Sequence, residues 1–349
     1  MVVRLSSFAT VLGLLAAVGS GSSATTFDSR AETGSAAIYS VRPDGHGRRL
    51  VARPNPPVPY FARSPDGTHI AFFRAEDGAV YISRPSGANR VQVTPPGSGY
   101  GAPVFSPDGE KLALGTPGTS CGPRCTTLGS LYVVDTDGRN LHRVADEGGG
   151  PSWSSDGRQI AYRGPLGIYV VAAAGGSSRL VGPDGRLHVW APRGRRIAYI
   201  GSKGGYGVPC FVNADGSGRR CMSGFSAVWP PVWSPDASRI AFTYAGRKSW
   251  LAVARADGRG LRRFTVRAQR PRPLAWSPDG NRLVYEEGFG VQRFLVRPLA
   301  AKARSTVVAS APVRGRLTED VRWRAGRISY VVYEAVSALT PGRWSPARR

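Results

Sequence analysis

The sequence predicts an all-β fold, a β-propeller of seven four-stranded antiparallel blades, closed by pairing of the N- and C-terminal strands. Three observations lead to this prediction. A turn motif recurs seven times, a second hairpin motif alternates with it, and the chain begins and ends in the middle of a repeat. Leading residues of the turn motif lie 37 to 48 residues apart, a period typical of propeller blades or helical arrays.

The turn motif reads W-S-P-D-G-x-x-I-A-F in its clearest copies. Proline presets φ at the second position, and glycine accepts the positive φ that ends the turn. The aspartate side chain holds such a turn by accepting backbone N–H groups. The apolar triplet after the turn is short and rich in strand-forming residues, which predicts a buried strand. The seven leading residues are Arg63, Phe105, Trp153, Trp190, Trp233, Trp276 and Trp323.

The second motif is a hairpin such as L-Y-V-V-D-T-D-G from Leu131, and an Arg-rich outer strand follows most copies. Together the two motifs supply four strands per unit, the composition of a propeller blade. Helical repeats would need amphipathic runs of ten or more residues, and the sequence has none. Strands are therefore favoured over helices.

The two ends of the chain predict how the ring closes. The first unit has only strands three and four (residues 38–52), and the last has only strands one and two (319–333). A propeller joins such halves and so removes exposed strand edges. Seven blades follow, with six as the alternative if the degenerate copy at Trp323 packs as an appendage.

The N-terminal region resembles an export signal. Arg4 precedes a short apolar run over residues 8–18, and small residues follow. We expect a signal peptide at 1–24, a linker at 25–36, the propeller at 37–335 and a C-terminal tail at 336–349. An extracytoplasmic location follows, either periplasmic, cell-wall or secreted. An uncleaved membrane anchor is the alternative.

Four cysteines suit an exported protein, where disulfides persist. Proximity along the chain favours the pairs Cys121–Cys125 and Cys210–Cys221. A metal site is the alternative, but the four histidines are scattered and none has metal-ligand spacing. We expect no metal and no cofactor.

The formal net charge of +24 comes almost entirely from arginine, since only four of the 47 basic residues are lysine. This bias is typical of a GC-rich genome, and we expect no nucleic-acid partner. A basic surface still attracts acidic cell-envelope polymers. One cluster of arginines could form a polyanion-binding surface, and a solvated strand face is the simpler interpretation of it. The cluster consists of Arg255, Arg259, Arg262, Arg263, Arg267, Arg270 and Arg272.

The W-S-P-D-G turn followed by I-Y-V-V-D-x-D-G resembles the repeat of TolB-type propellers, over residues 38 to about 333. Similar repeats occur in the propeller domains of dipeptidyl-peptidase-like serine proteases. The resemblance implies a bacterial periplasmic protein that binds envelope proteins. The sequence departs from the family in lacking the α/β domain that precedes the TolB propeller, so the TolB partners are not carried over.

Catalytic motifs do not support an enzyme. The sequence contains no H-E-x-x-H, and its one G-x-S-x-G match, at residues 118–122, overlaps the C-G-P-R-C loop and is not followed by the helical pattern that a nucleophile elbow requires. The repeated Ser and Asp are turn residues, and the loop from Asp135 lacks the further ligands of a calcium hand. We therefore expect a monomeric, non-catalytic binding or scaffold propeller with a protein or cell-envelope partner. A channel-centred enzyme of lyase or glycosidase type is one alternative, and a polyanion-binding protein is another.

Binding residues are expected at one mouth of the channel, where the innermost strands begin. The residue four before each leading position should lie there, and these are Pro59, Gly101, Gly149, Arg186, Trp229, Arg272 and Glu319. Function in propellers sits in loops and the channel mouth. We expect a recognition site formed by Tyr100, Arg186, Trp229, Arg272 and Glu319. Trp229 as an ordinary inter-blade packing residue is the alternative.

Overall fold

The structure is a computed structural model that describes residues 34–54, 61–118, 128–203, 206–222, 229–245, 249–266, 271–287, 292–300, 303–310, 315–317 and 320–335. These residues form strands joined by turns, and none of them lies in a helix. The strands are β1 (Gly34–Val41), β2 (Arg49–Ala52), β3 (Ala62–Arg63), β4 (Ile70–Arg74), β5 (Ala79–Ser83), β6 (Val91–Gln92), β7 (Gly101–Phe105), β8 (Lys111–Gly115), β9 (Leu131–Asp135), β10 (His142–Ala145), β11 (Gly149–Trp153), β12 (Gln159–Gly164), β13 (Gly167–Ala172), β14 (Arg179–Pro183), β15 (Arg186–Trp190), β16 (Arg196–Lys203), β17 (Tyr206–Asn213), β18 (Arg220–Cys221), β19 (Val232–Trp233), β20 (Arg239–Ala245), β21 (Ser249–Arg255), β22 (Arg262–Phe264), β23 (Arg272–Trp276), β24 (Arg282–Glu287), β25 (Arg293–Pro298), β26 (Thr306–Ser310), β27 (Gly315–Leu317), β28 (Arg322–Arg324) and β29 (Arg327–Ala335).

The described strands form seven antiparallel sheets, which confirms the predicted seven-bladed propeller. Blades 1 to 6 are β3–β6, β7–β10, β11–β14, β15–β18, β19–β22 and β23–β26, each with its first strand nearest the axis. Blade 7 has the order β2-β1-β29, and its innermost position is shared by β27 and β28. The copy at Trp323 is therefore part of the ring, and the six-bladed alternative is wrong.

Ring closure occurs inside blade 7, as predicted. β1 pairs with β29 along its whole length, with Ile38 opposite Val331 and Val41 opposite Ile328. β1 begins at Gly34, three residues before the predicted start of the propeller, because β29 offers it a partner out to Ala335. This long ladder joins the two ends of the described chain and leaves neither strand as a free edge on that side.

The core lies between neighbouring blades. The first apolar residue of each second strand was predicted to be buried there, and each has 0% exposure. Alternation along a strand sends successive side chains to the two faces of a blade, so each blade packs against both of its neighbours. The seven residues are Ile70, Leu112, Ile160, Ile197, Ile240, Leu283 and Ile328.

The S-P-D-G turn is held by its own side chains. In blade 2, the Ser106 hydroxyl donates to Asp108 Oδ1 at 2.5 Å and accepts the Lys111 N–H at 2.9 Å. Asp108 also accepts the Glu110 N–H, and Gly109 adopts φ +82°. A buried serine and a partly solvated carboxylate thus satisfy backbone donors that the turn leaves open. The same serine–aspartate bond occurs in blades 1, 3, 5 and 6.

Leading tryptophans connect consecutive blades. The indole N–H of Trp153 donates to Val104 O at 3.0 Å, and that of Trp276 donates to Val232 O at 2.9 Å. Trp233 makes the equivalent bond to Val189 O at 3.2 Å. Each acceptor belongs to the innermost strand of the preceding blade, so the ring buries its aromatic side chains without leaving the indole donors unpaired.

At the junction of blades 7 and 1, an arginine replaces the leading aromatic residue. Arg63 is 7% exposed and forms an ion pair with Asp320. It also donates to the Ser329 hydroxyl at 2.9 Å. Arg322 bonds Asp320 Oδ1 at 3.2 Å and donates across the junction to Arg63 O at 2.6 Å. Charged hydrogen bonds therefore connect blades 7 and 1.

Antiparallel connectivity gives the propeller two different faces. We call the face on which the innermost strands begin the loop face; it carries the hairpins between second and third strands. We call the opposite face the turn face; it carries the S-P-D-G turns and the turns between third and fourth strands. Cys210 and Cys221 form a disulfide between β17 and β18, with Cα atoms 4.0 Å apart. Cys121, Cys125 and residues 1–33 lie outside the described residues.

Candidate functional site

The loop face brings Trp229 and Arg272 together. Arg272 is the first residue of β23 in blade 6, and Trp229 lies three residues before β19 in blade 5. The Arg272 guanidinium carbon is 4.4 Å from the centre of the Trp229 ring, a cation–π contact between neighbouring blades. The Thr243 hydroxyl of blade 5 donates to Pro271 O at 2.6 Å, which holds the two blades together beside this contact.

Burial and charge define the state of Arg272. The residue is 4% exposed, and its desolvation lowers the pKa to about 10, partly opposed by Glu286. Glu286 is directly opposite on β24, with Oε2 3.9 Å from Arg272 Nη1. That distance exceeds a hydrogen bond, so the attraction is ionic. Gln292 donates to Glu286 Oε1 at 2.9 Å and orients the carboxylate. The Arg272 guanidinium therefore remains charged at neutral pH, and it packs against one face of the Trp229 ring.

Trp229 itself is partly buried, and its indole Nε1 atom is inaccessible to solvent. Its Nε1 atom has no hydrogen-bond partner among the described residues, unlike the leading tryptophans. Pro230 and Pro231 follow it and are both buried, so the backbone that presents the ring has little freedom. Tryptophan is one of the residue types most enriched in protein-recognition hot spots, which makes Trp229 the candidate contact residue of this site.

The other predicted site residues are not gathered around this pair. Tyr100 is 9% exposed and packs in the core between blades 1 and 2, edge-on to Tyr132 at 4.8 Å. Arg186 is the first residue of β15 and is exposed, in the blade next to Trp229. Glu319 lies outside the described residues. Of the five predicted residues, the described structure joins Trp229 and Arg272.

Blade 4 adds two features that the sequence did not suggest. Leu187 adopts φ +50°, the left-handed conformation that Gly150 takes at the same position of blade 3 with φ +62°. His188 is 2% exposed, and burial lowers its pKa to about 4. Its Nε2 atom lies 3.0 Å from Ala161 O of the neighbouring blade. His188 is therefore neutral at pH 7 and acts as part of the core.

Glu286 was also missed. It follows the apolar residues of its strand in the run R-L-V-Y-E-E, and its position opposite Arg272 follows from register. The antiparallel register of β23 and β24 is the sequence signal for this glutamate, because it places Glu286 directly opposite Arg272.

The linear arginine cluster is dispersed by the fold. Arg262 donates to Leu299 O of blade 6 at 3.0 Å, whereas Arg263 stacks on Tyr244 of its own blade at 4.6 Å. The two are neighbours on β22, so their side chains point to opposite faces of the blade. Arg272 is buried, and Arg267 and Arg270 lie outside the described residues. The seven residues therefore do not form one continuous surface among the described part of the chain.

No group of three or more His, Cys, Asp or Glu residues capable of holding a metal ion occurs among the described residues. The described chain also has no helix with the length and hydropathy needed to cross a bilayer.

Comparison with known proteins supports the fold. Solved structures of similar shape include a protein assigned as TolB from Agrobacterium tumefaciens, at 15% identity, 87% coverage of this chain, 99% coverage of that chain and TM-score 0.53. A puromycin-hydrolysing peptidase from Mycobacterium tuberculosis matches at 14% identity, 81% and 52% coverage and TM-score 0.59. A puromycin hydrolase matches at 15% identity, 90% and 61% coverage and TM-score 0.58. This chain spans about half to three-fifths of the two hydrolases, and no curated protein matches its sequence.

The sequence profile of the TolB beta propeller domain matches residues 28–280, more than half of the chain. The matched region includes the turn motifs of blades 1 to 6 and the serine–aspartate hydrogen bonds of blades 1, 2, 3, 5 and 6. Together with the seven four-stranded blades, this match shows that the chain belongs to the TolB beta propeller domain family.

Proposed function

We propose that this protein is an exported, non-catalytic binding propeller whose partner contacts the loop face at Trp229. The partner is a protein or another component of the cell envelope. The observation that carries the proposal is the cation–π pair formed by buried Arg272 and Trp229, a residue that is only partly buried. Rigid aromatic anchors lose little conformational entropy on binding and dominate many protein interfaces.

Two further observations support the proposal. A disulfide between Cys210 and Cys221 suits an oxidising compartment outside the cytoplasm. Among the described residues, the carboxylate that faces Arg272 is Glu286, which Arg272 and Gln292 already engage. A glycosidase mechanism uses two carboxylates that flank the substrate. The arrangement at Trp229 therefore favours recognition over acid–base chemistry.

Affinity capture from solubilised cell envelope tests the binding surface. Wild-type protein is compared with Trp229→Ala and with the control Trp250→Ala, using quantitative mass spectrometry of the captured proteins. Trp250 is a matched control because it is also a partly buried blade 5 tryptophan with an arginine near its ring, at 5.8 Å. We expect a partner that is lost with Trp229→Ala and retained with Trp250→Ala. The identified partner then binds Trp229→Ala at least about tenfold more weakly in a purified system.

Two results would overturn this proposal. One is an identical set of captured proteins for wild type and Trp229→Ala. The other is loss of the native fold in Trp229→Ala, since a surface anchor costs no more than about 1–2 kcal/mol of stability when truncated. Export is tested separately by fractionation and by the mass of the mature chain. Cleavage after residue 24 is expected, and retention of the full-length chain in the cytoplasm contradicts export.

A further inference from the structure

The turn face of blade 4 differs from that of the other blades in its charge. Its turn reads A-P-R-G where the motif has S-P-D-G, so Arg193 stands in the position of the aspartate. The turn still closes, because the Ala191 N–H bonds Arg196 O at 2.8 Å and the Trp190 indole N–H donates to Gly194 O at 3.2 Å. The substitution therefore replaces a turn carboxylate with an exposed guanidinium and keeps the backbone geometry.

Blades 4 and 5 bring further arginines to the same face. The turn at Gly258 of blade 5 lies against blade 4, since a Cβ added there would be 3.3 Å from the Phe211 ring. Arg220 pairs with Phe211 on the neighbouring strand, so it lies beside this turn. The Arg259 N–H and the charges of Arg255, Arg259 and Arg220 all lower the pKa of Asp257. Arg220 of blade 4 therefore lies at the same blade boundary as Arg255 and Arg259, which flank the Asp257 turn.

We define the basic surface as Arg193, Arg195, Arg220, Arg255 and Arg259, all of which are exposed. Within the described part of the chain, none of these five side chains forms a hydrogen bond or an ion pair within 4.0 Å. Some turn cations of other blades are paired, as Lys111 is with Asp135 at 2.5 Å and Arg139 with Asp137 at 3.8 Å, whereas the exposed Arg84 and Arg90 of blade 1 have no such partner among the described residues. The basic surface is therefore distinguished by grouping unpaired arginines from two neighbouring blades on one face.

Hydrogen-bonding capacity indicates what this surface can bind. Each guanidinium carries five N–H donors. Arg220, Arg255 and Arg259 together offer about fifteen donors, whereas the Asp257 carboxylate near them offers about four acceptor positions. Phosphate groups match guanidinium geometry and can bridge two arginines at once. The Cys210–Cys221 disulfide fixes the strand that carries Arg220, which lowers the entropy lost when a ligand binds there.

We propose that the basic surface on the turn face of blades 4 and 5 binds a flexible phosphate-rich polymer. The surface is distinct from Trp229, which lies on the loop face. Binding depends on several arginines acting together on repeated phosphates, so it weakens steeply as salt rises.

Fluorescence anisotropy with labelled long-chain inorganic polyphosphate, measured over a series of NaCl concentrations, tests the proposal. Arg255→Gln/Arg259→Gln removes two charges from the surface. The matched control is Arg84→Gln/Arg90→Gln, which removes two exposed charges from the equivalent turn of blade 1. We expect the first double variant to bind about tenfold more weakly at low salt and to reduce the slope of log K against log[salt] by about 1.5–2. The control and Trp229→Ala should bind like wild type.

Three outcomes would overturn the proposal. Absence of polyphosphate binding by the wild-type protein is the first. Equal weakening by both double variants is the second, because it indicates attraction by the overall charge. Tighter binding of poly-L-glutamate, with the same dependence on Arg255 and Arg259, is the third, since it assigns the surface to an acidic polypeptide. Circular dichroism of each variant checks that the propeller is intact.

Discussion

Replacing Asp320 with asparagine removes the carboxylate that holds Arg63 and Arg322 at the junction of blades 7 and 1. Both guanidiniums are largely buried, with side-chain exposures of 6% and 18%. Asparagine is nearly isosteric, so the change removes charge with little change in volume. Removing one partner of a buried ion pair costs about 3–5 kcal/mol, because a buried charge is left without compensation.

The pKa of Asp320 gives a second measure of the same contact. Burial raises this pKa, but the charges of Arg63 and Arg322 outweigh burial and lower it from 3.8 to about 2. A shift of about two units corresponds to roughly 2–3 kcal/mol. Because the folded pKa lies below the unfolded value, this stabilisation is complete above about pH 4 and is lost as pH falls towards about 2.

Urea unfolding followed by tryptophan fluorescence at pH 7 and near pH 2 measures the effect. We expect Asp320→Asn to lower the free energy of unfolding by about 3 kcal/mol at pH 7 and by less than about 1 kcal/mol near pH 2. Asp137→Asn is the control. Its pair with Arg139 is 3.8 Å long and exposed, so a change within about 0.5 kcal/mol is expected. A loss below about 1 kcal/mol at pH 7, or an equal loss at both pH values, would refute the reasoning.

Two further predictions concern blade 4. Cys210→Ala/Cys221→Ala should lower the free energy of unfolding by about 2–3 kcal/mol, because the disulfide closes a loop of 11 residues; equal urea midpoints for the variant and the oxidised wild type would contradict this. His188→Leu should remove a pH dependence. Burial lowers the pKa of His188 from 6.5 to about 4, so wild-type stability falls as pH drops from about 6.5 to 4, by on the order of 3 kcal/mol. Parallel stability–pH curves for wild type and variant would contradict the assignment of a neutral buried histidine.

Local sequence was sufficient to predict the blades. The S-P-D-G turn satisfies its own backbone donors through Ser106 and Asp108, so it forms wherever the motif occurs. The alternation that follows each turn places Leu112 and its equivalents in the core. Half-repeats at the two ends implied the pairing of β1 with β29. The first two features depend on residues within one repeat. The third depends on strand pairing, which the spacing of the repeats along the sequence indicates.

The candidate site was only partly predictable. The position four residues before each leading residue was expected at the start of an innermost strand, and Arg186 and Arg272 do begin β15 and β23. This expectation did not distinguish the exposed Arg186 from the buried Arg272, because burial depends on what the adjacent blade contributes. Tyr100 was expected at the channel mouth, but it packs between blades 1 and 2, where Tyr132 covers it.

The sequence by itself determined the number of blades, their strand order and the closure of the ring, because these follow from repeated short-range hydrogen bonding and alternation. Only the tertiary structure decided which side chains of different blades meet. Arg63 reaches Asp320 across 257 residues of chain, and Trp229 meets Arg272 across a blade boundary. Such contacts depend on how the twisted sheets are placed around the axis of the propeller. Alternation along a strand also separates sequence neighbours, since the side chains of Arg262 and Arg263 lie on opposite faces of blade 5.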